Sequence, residues 1–464
     1  MNEILKNDLD TISSILEEIQ ENSIDFLARL IEIPTSPQDR HIDPSALRSK
    51  GLGTKETLAY FNATYKKIMV SSSGPRYWGY VIGGVTPAAL AGDWLASVFD
   101  QNTQSLQGNG DISAILEIHT IKLMMELFGL PDDFNGGFVS GATMSNFTGL
   151  AVARQWAGNA LGRDIAREGM SDDVVVLSAK PHSSVLKSLS MLGFGSNKII
   201  HVDVVPGREQ IDVQDLEQKL INYKEKPVIV SCSAGTVNTV DFDNLAAIAA
   251  LKKKYSFWMH VDAAFGGFAT CSGDYAHLLK GWENADSITI DCHKWMNVPY
   301  DSAVFLTRKE HQKFQIQTFQ NTSAPYLGDP DENFSYLNFL PENSRRFRAL
   351  PAWFSLMAYG KEGFQWIVEN SIDCAVTFEK YIQASESFEL SAPVHLNVVC
   401  FNLKDKSRSS AFLNSLNERG EVFMTPTVVG DQHCIRAAFV NYRTTKDDVR
   451  VAVQEMEDVL KSLV

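Results

Sequence analysis

Apolar residues recur at helical spacing through residues 3–33 (Leu5, Leu9, Ile12, Leu16, Ile19, then Phe26, Leu27 and Leu30) and stop at the breaker Ile33-Pro34-Thr35-Ser36-Pro37. Residues 38–53 are polar and rich in turn formers, so they read as a connection. From about residue 110 the period changes. Leu116–Leu127 keeps a helical stripe, and a short strand ends at Phe138-Val139. Runs rich in branched residues follow at Val174–Ser178, Lys198–Val202, Val228–Cys232, Phe257–Val261 and Ser287–Ile290, with helical patterns such as Asp243–Tyr255 between them. That alternation predicts an α/β fold with a mostly parallel sheet covered on both faces. In such a fold ligands sit beyond the carboxyl ends of the strands. A helical stretch over Ala349–Val368, strands at Val398–Phe401 and Cys434–Phe439, and a closing helix at Lys446–Leu463 read as a smaller α+β lobe.

Composition narrows the class without changing that picture. With 464 residues the chain exceeds one compact core, and two or three lobes are expected. An apolar share of 44% is ample to bury them and excludes a disordered or fibrous chain. The formal net charge of −14 argues against a nucleic-acid partner, which needs a basic footprint. The one basic trio, Lys252-Lys253-Lys254, closes a helical pattern, where it complements a helix C-terminus. No apolar run is long enough to span a membrane, and the first residues, MNEILKNDLD, carry no secretory pattern. The six cysteines are scattered without a C-x-x-C pair, which fits reduced structural thiols and no metal site. The expected compartment is the cytoplasm.

The densest chemical signal is HVDAAFGGF (260–268) followed by DSITIDCHKW (286–295). Asp262 should project from the end of a buried strand, where a carboxylate is costly unless a cation or donor meets it. A helix cap, a structural ion pair and a site acid all answer that description. Lys294, beside His293 and Trp295 just past another apolar strand, is not a solvated surface charge. Its amine is placed to attack a carbonyl, although a lysine snorkelling at a strand end would look similar. Together the two suit a pyridine cofactor, with one residue forming a Schiff base and the other keeping the ring nitrogen protonated. FVSGATMSN (138–146) reads as strand, tight turn and helix start. Its backbone N–H groups and the Ser140 and Thr143 hydroxyls suit a phosphate, though an ordinary capped helix start is commoner.

On these residues the chain resembles the group II pyridoxal-dependent decarboxylases, which include the aromatic amino acid, glutamate, histidine and diaminobutyrate enzymes. Further blocks keep the family's order: PRYWGYVIGG (75–84), KPHSSVLKSL (180–189), SAGTVNT (233–239), NVPYD (297–301) and SRRFRALPAW (344–353). The resemblance covers roughly residues 20–460. It implies the fold type I architecture of pyridoxal-phosphate enzymes (aspartate aminotransferase-like). A helical arm over 1–75, a large cofactor domain over 76–345 and a small α+β domain over 346–464 would make up the chain. It also implies a homodimer and a small-molecule amino acid substrate.

The family pattern assigns roles by position. Lys294 would hold pyridoxal 5′-phosphate, Asp262 would meet the ring nitrogen, and His182 would stack on the ring. Read alone, His182 is a histidine of the commoner structural kind. Ala142, Thr143 and His293 match phosphate-contacting positions, and Thr236 and Ala264 match positions lining the ring. Tyr336, nine residues before Arg345, matches the tyrosine that protonates the substrate carbon, with Tyr326 as a rival in the same segment. Tyr77 and Trp78 match aromatic positions that touch the substrate and favour an aromatic amino acid. Arg436 matches a carboxylate-binding arginine and leaves an acidic substrate open, as the shared fold leaves open an aldehyde synthase or another lyase. Two residues depart from the pattern. Asp291 stands where several animal members carry asparagine near the phosphate, which it would repel unless it turns away or pairs with a cation. Pro351 replaces a lysine common after the arginine pair.

Overall fold

The computed structural model describes residues 1–37, 46–104, 106, 111–170, 172–320 and 334–463. Seven strands form the larger sheet: β1 (Phe134–Val139), β2 (Val175–Ser178), β3 (Ile200–His201), β4 (Val228–Ser233), β5 (Trp258–Asp262), β6 (Ser287–Ile290) and β7 (Ala303–Arg308), in the order β1-β7-β6-β5-β4-β2-β3. Only β7 pairs antiparallel with its neighbours, so the sheet is mostly parallel, as the alternating pattern predicts. β5 is buried at every position, His260 and Asp262 included, as expected of a strand inside a parallel sheet. The carboxyl ends of β2, β4, β5 and β6 fall on one edge of the sheet.

Four further strands, β8 (Phe388–Leu390), β9 (Val398–Leu403), β10 (Thr425–Val429) and β11 (Gln432–Ala438), make an antiparallel sheet in the order β10-β11-β9-β8. Its core holds Phe378, Phe388, Phe401, Phe412 and Met456. Residues 76–78 join this lobe rather than opening the large one. The Trp78 N–H donates to the Phe423 carbonyl, and the Ala438 N–H donates to that of Trp78.

The helix Ala349–Ala384 runs through both lobes. Leu356, Phe364 and Ile372 enter the core of the large sheet, while Ala375, Phe378 and Ile382 enter the core of the small one. It kinks at Gly360, whose φ of 56° belongs to the left-handed region. Pro351 sits in its first turn, the place where a proline costs a helix no hydrogen bond. At the other end of the chain, helices Glu3–Asp10 and Ile12–Ala28 bury only Ile15. Leu5, Leu9, Ile12, Leu16 and Ile24 remain between 48% and 64% exposed. Among the described residues no helix is long and apolar enough to cross a membrane.

Candidate active site

At the strand-end edge of the large sheet lies a cavity of about 870 Å³. Its wall includes His182, Thr236, Asp262, Ala264 and Lys294, brought there by the segments after β2, β4, β5 and β6. Asp262 is the last residue of β5 and is 7% exposed. Its Oδ1 accepts the Ala264 N–H at 3.1 Å, and its Oδ2 accepts the Asn146 Nδ2 amide at 2.9 Å. His182 caps the helix Ser183–Met191, its Nδ1 accepting the Ser184 N–H at 3.2 Å. That bond leaves the ring proton on Nε2 in the neutral form. Burial, more than any charge, lowers the imidazole's pKa, with Asp262 opposing and Lys294 and Arg436 assisting.

Asp291 is not an unpaired anion. Its carboxylate, 2% exposed, lies 3.2 Å from Lys294 Nζ and 3.1 Å from His293 Nε2. Burial alone would push this carboxyl up, but Lys294 and then His293 outweigh it and hold it below the usual carboxylate range. His293 Nδ1 accepts the Ser302 N–H at 3.2 Å, and the Tyr300 ring covers the imidazole with centroids 4.3 Å apart. The Lys294 backbone is pinned as well. A side chain on Gly83 would strike the Lys294 carbonyl at 1.9 Å, so only glycine allows that approach.

The turn at 140–143 leads into a helix start with no side-chain cap. The helix Ala142–Ala160 starts after Gly141, and its first ladder bond runs from the Ser145 N–H to the Gly141 carbonyl. The N–H groups of Ala142, Thr143 and Met144 therefore have no partner within the helix. A Cβ on Gly141 would lie 3.3 Å from the His293 ring, which places His293 against this turn. Ala142, Thr143 and His293 lie beside the cavity rather than on its wall, and the helix that Ala142 and Thr143 open is tied to Asp262 through Asn146.

Four expected residues are placed elsewhere. Trp78 is 1% exposed in the small lobe, packed on Phe378 and Phe439, with Nε1 donating to the Pro75 carbonyl. Tyr77 stacks on Phe423 with centroids 4.6 Å apart, off the cavity wall. Arg436 sits behind the wall, its Nη1 donating to the Val237 carbonyl and the Asn238 Oδ1, while its buried Nε has no partner among the described residues. Tyr336 is fully buried with the Arg345 guanidinium 4.3 Å over its ring. Burial first, and then the Glu117 carboxylate, push its phenol well above the usual range. Tyr326 lies outside the described residues.

The cavity also exposes groups that pattern reasoning passed over. Tyr80 and Val81 line it with φ of 56° and 60°, a conformation that no periodicity signals. Glu209 lines it too, its Oε2 accepting the Thr236 hydroxyl at 2.5 Å and the Thr239 hydroxyl at 2.6 Å. Only its closeness to the SAGTVNT block in space, not in sequence, reveals it.

A family model described as pyridoxal-dependent decarboxylase conserved domain matches residues 38–404. The aromatic-L-amino-acid decarboxylase of Bacillus atrophaeus is 29% identical over 442 residues, covering 90% of this chain and 89% of that one. The L-2,4-diaminobutyrate decarboxylase of Acinetobacter baumannii is 29% identical over 364 residues, covering 73% and 70%. The crystal structure of Oryza sativa TDC with PLP and tryptamine superposes with a TM-score of 0.88 at 20% identity, covering 98% of each chain.

Proposed function

The chain belongs to the pyridoxal-dependent decarboxylase family and is a pyridoxal-phosphate-dependent amino-acid decarboxylase; from that premise we propose that Lys294 holds the cofactor and that the substrate is an aromatic L-amino acid. The observation that carries the site assignment is the convergence of Lys294 and Asp262 on one cavity, beside a helix start with free backbone donors. The aromatic reading draws on aromatic-L-amino-acid decarboxylases among the relatives and on Tyr80 and Phe265 in the wall, Tyr77 and Trp78 being occupied elsewhere. A substrate with a carboxylate-bearing side chain is the second reading, favoured by Arg436 just behind the wall, whose Nε has no partner among the described residues.

The residues present fit the cofactor. The Ala142, Thr143 and Met144 N–H groups, the Ser140 and Thr143 hydroxyls and His293 would hold its phosphate. Asp262 keeps a lone pair for a ring N–H, and Thr236, Ala264 and His182 would flank the ring. When bound, pyridoxal phosphate supplies the sink for the electrons of the breaking Cα–carboxylate bond. The chain orients that bond, excludes water and moves the protons. His182 presents Nε2–H to the cavity. The Lys294 amine would hold the cofactor, with the Asp291 carboxylate 3.2 Å away balancing its charge. Tyr336, buried under Arg345, packs the large lobe in this conformation. We also propose the division into a helical arm (1–75), a large lobe and a small lobe. A homodimer is proposed as well, supported by the exposed apolar stripe of the arm.

The deciding experiment measures CO2 and product amine from single L-amino acids with the cofactor-loaded protein and two variants. Native protein is expected to act on tyrosine, tryptophan or dihydroxyphenylalanine, and Lys294→Ala to lose the borohydride-reducible adduct. A reducible adduct in that variant would remove Lys294 from its role. Release only from glutamate or aspartate would replace the aromatic reading with the acidic one. Aldehyde leaking from Tyr336→Phe would return Tyr336 to the chemistry, whereas native product would leave the proton to Tyr326.

A further inference from the structure

Behind Asp262 a chain of buried polar side chains leads away from the cavity. Asn146, Ser287, His260 and Trp258 are all 0% exposed. His260 and Asp262 are two residues apart on β5 and so share a face of the sheet, and Ser287 on β6 is the cross-strand neighbour of His260. Asn146, on the first turns of the helix Ala142–Ala160, lies over the same face. Its Nδ2 donates to Asp262 Oδ2 at 2.9 Å and to Ser184 Oγ at 3.0 Å.

Those bonds fix the direction of every other proton. With both amide hydrogens of Asn146 spent, its Oδ1 is an acceptor, and His260 Nε2, 2.9 Å away, must carry the hydrogen. His260 Nδ1 is then an acceptor at 2.8 Å from Ser287 Oγ. Lacking a hydrogen of its own, Nδ1 takes that of the Ser287 hydroxyl, whose oxygen accepts the Trp258 indole N–H at 2.9 Å. One arrangement satisfies the whole chain: Trp258 to Ser287, Ser287 to His260, His260 to Asn146, Asn146 to Asp262. Burial lowers the His260 imidazole to about 4, which keeps it in the neutral tautomer this order requires.

We infer that Asn146 and His260 are positioning residues for Asp262, holding its carboxylate in one rotamer with Oδ2 turned to accept a ring N–H. The inference rests on the reading of Asp262 as the partner of the cofactor nitrogen. Asp262 cannot swing away without stranding the Asn146 amide, and Asn146 cannot flip without facing its donors to the His260 donor. The chain therefore makes the cofactor site rigid before anything enters it.

The test is the pyridoxal phosphate dissociation constant of stripped and reloaded full-length protein, read by quenching of tryptophan fluorescence. His260→Leu fills the space without a donor, whereas the amide of His260→Gln reaches the Nε2 position and restores one. The expected result is a constant about tenfold or more higher in H260L and within about threefold of native in H260Q, the scale seen for outer-shell partners of ligating groups. A merely structural histidine would lower the melting temperature of both cofactor-free variants without this split. Should H260L fail to fold, Ser287→Ala removes only the hydroxyl that fixes the tautomer, and it too is expected to weaken binding. Native affinity in H260L, or in S287A where H260L cannot be made, or equal losses in H260L and H260Q, would overturn the inference. Asp262→Asn separates the two levels, since unchanged affinity there would sink the assignment of Asp262 itself.

Discussion

Enclosed by Asn146, Ser287 and Gly149, the His260 imidazole is lowered to about 4, burial being the main cause and Asp262 opposing it. In the unfolded chain it titrates near 6.5. Between those values the unfolded state binds more protons, so this residue contributes roughly 3 kcal/mol that is fully present above pH 6.5 and lost as pH falls toward 4. Asp243, pushed up to about 7 by burial, works in the opposite sense over the same window. The informative measurement is therefore the difference between native protein and H260Q in urea unfolding at several pH values. Native protein should lose about 3 kcal/mol relative to the variant on acidification, and parallel curves would contradict it. At this scale the sequence was legible where chemistry and position coincide. Lys294 and Asp262, read from their own residues, and His182, Thr236 and Ala264, supplied only by the family resemblance, line one cavity because each lies at or after the end of a parallel strand. Tyr77, Trp78 and Tyr336 were not, because an aromatic ring near a site looks the same in sequence whether it faces a ligand or a core.

A glycine in the middle of a helix costs about 1 kcal/mol relative to alanine, and Gly149 stands in the middle of the helix Ala142–Ala160. Its reason is spatial. A Cβ there would lie 2.9 Å from His260 Cε1 and 3.0 Å from Nδ1, so the missing side chain lets the helix seat against the histidine. Gly149→Ala is expected to reverse the usual gain and cost about 1–3 kcal/mol, with a rise in the cofactor dissociation constant. A stabilised variant with native affinity would show that the helix seats without this contact. Close packing at glycines also explains what the pattern concealed. β1 reads poorly as a strand because of Gly136-Gly137, yet both glycines are needed, one against Leu306 and Ile121, the other against Leu340 and Tyr336. β7 was passed over because its run AVFLTR follows the turn-rich NVPYD block, and its antiparallel direction carries no signature in a single chain.

Across the whole molecule, the mostly parallel sheet and the smaller C-terminal lobe were readable from the change of period along the chain. The path of residues 76–78 was not, since a segment far from the C-terminus in sequence completes the small lobe through backbone bonds alone. The exposed stripe on helices Glu3–Asp10 and Ile12–Ala28 was visible as periodicity, but the side of the molecule on which it stays bare required three dimensions. The kinked helix Ala349–Ala384 carries a different consequence. Because it supplies side chains to both cores, neither can melt while the other keeps its share of that helix. Two lobes that look separable in outline should thus denature as one cooperative unit. Scanning calorimetry of the cofactor-free protein is expected to give a single endotherm, and two resolved peaks would mean that the stretch after Gly360, which supplies Phe364 and Ile372 to one core and Phe378 and Ile382 to the other, does not couple them. The small lobe, cut from its helix, is not a module that could be lent to another chain.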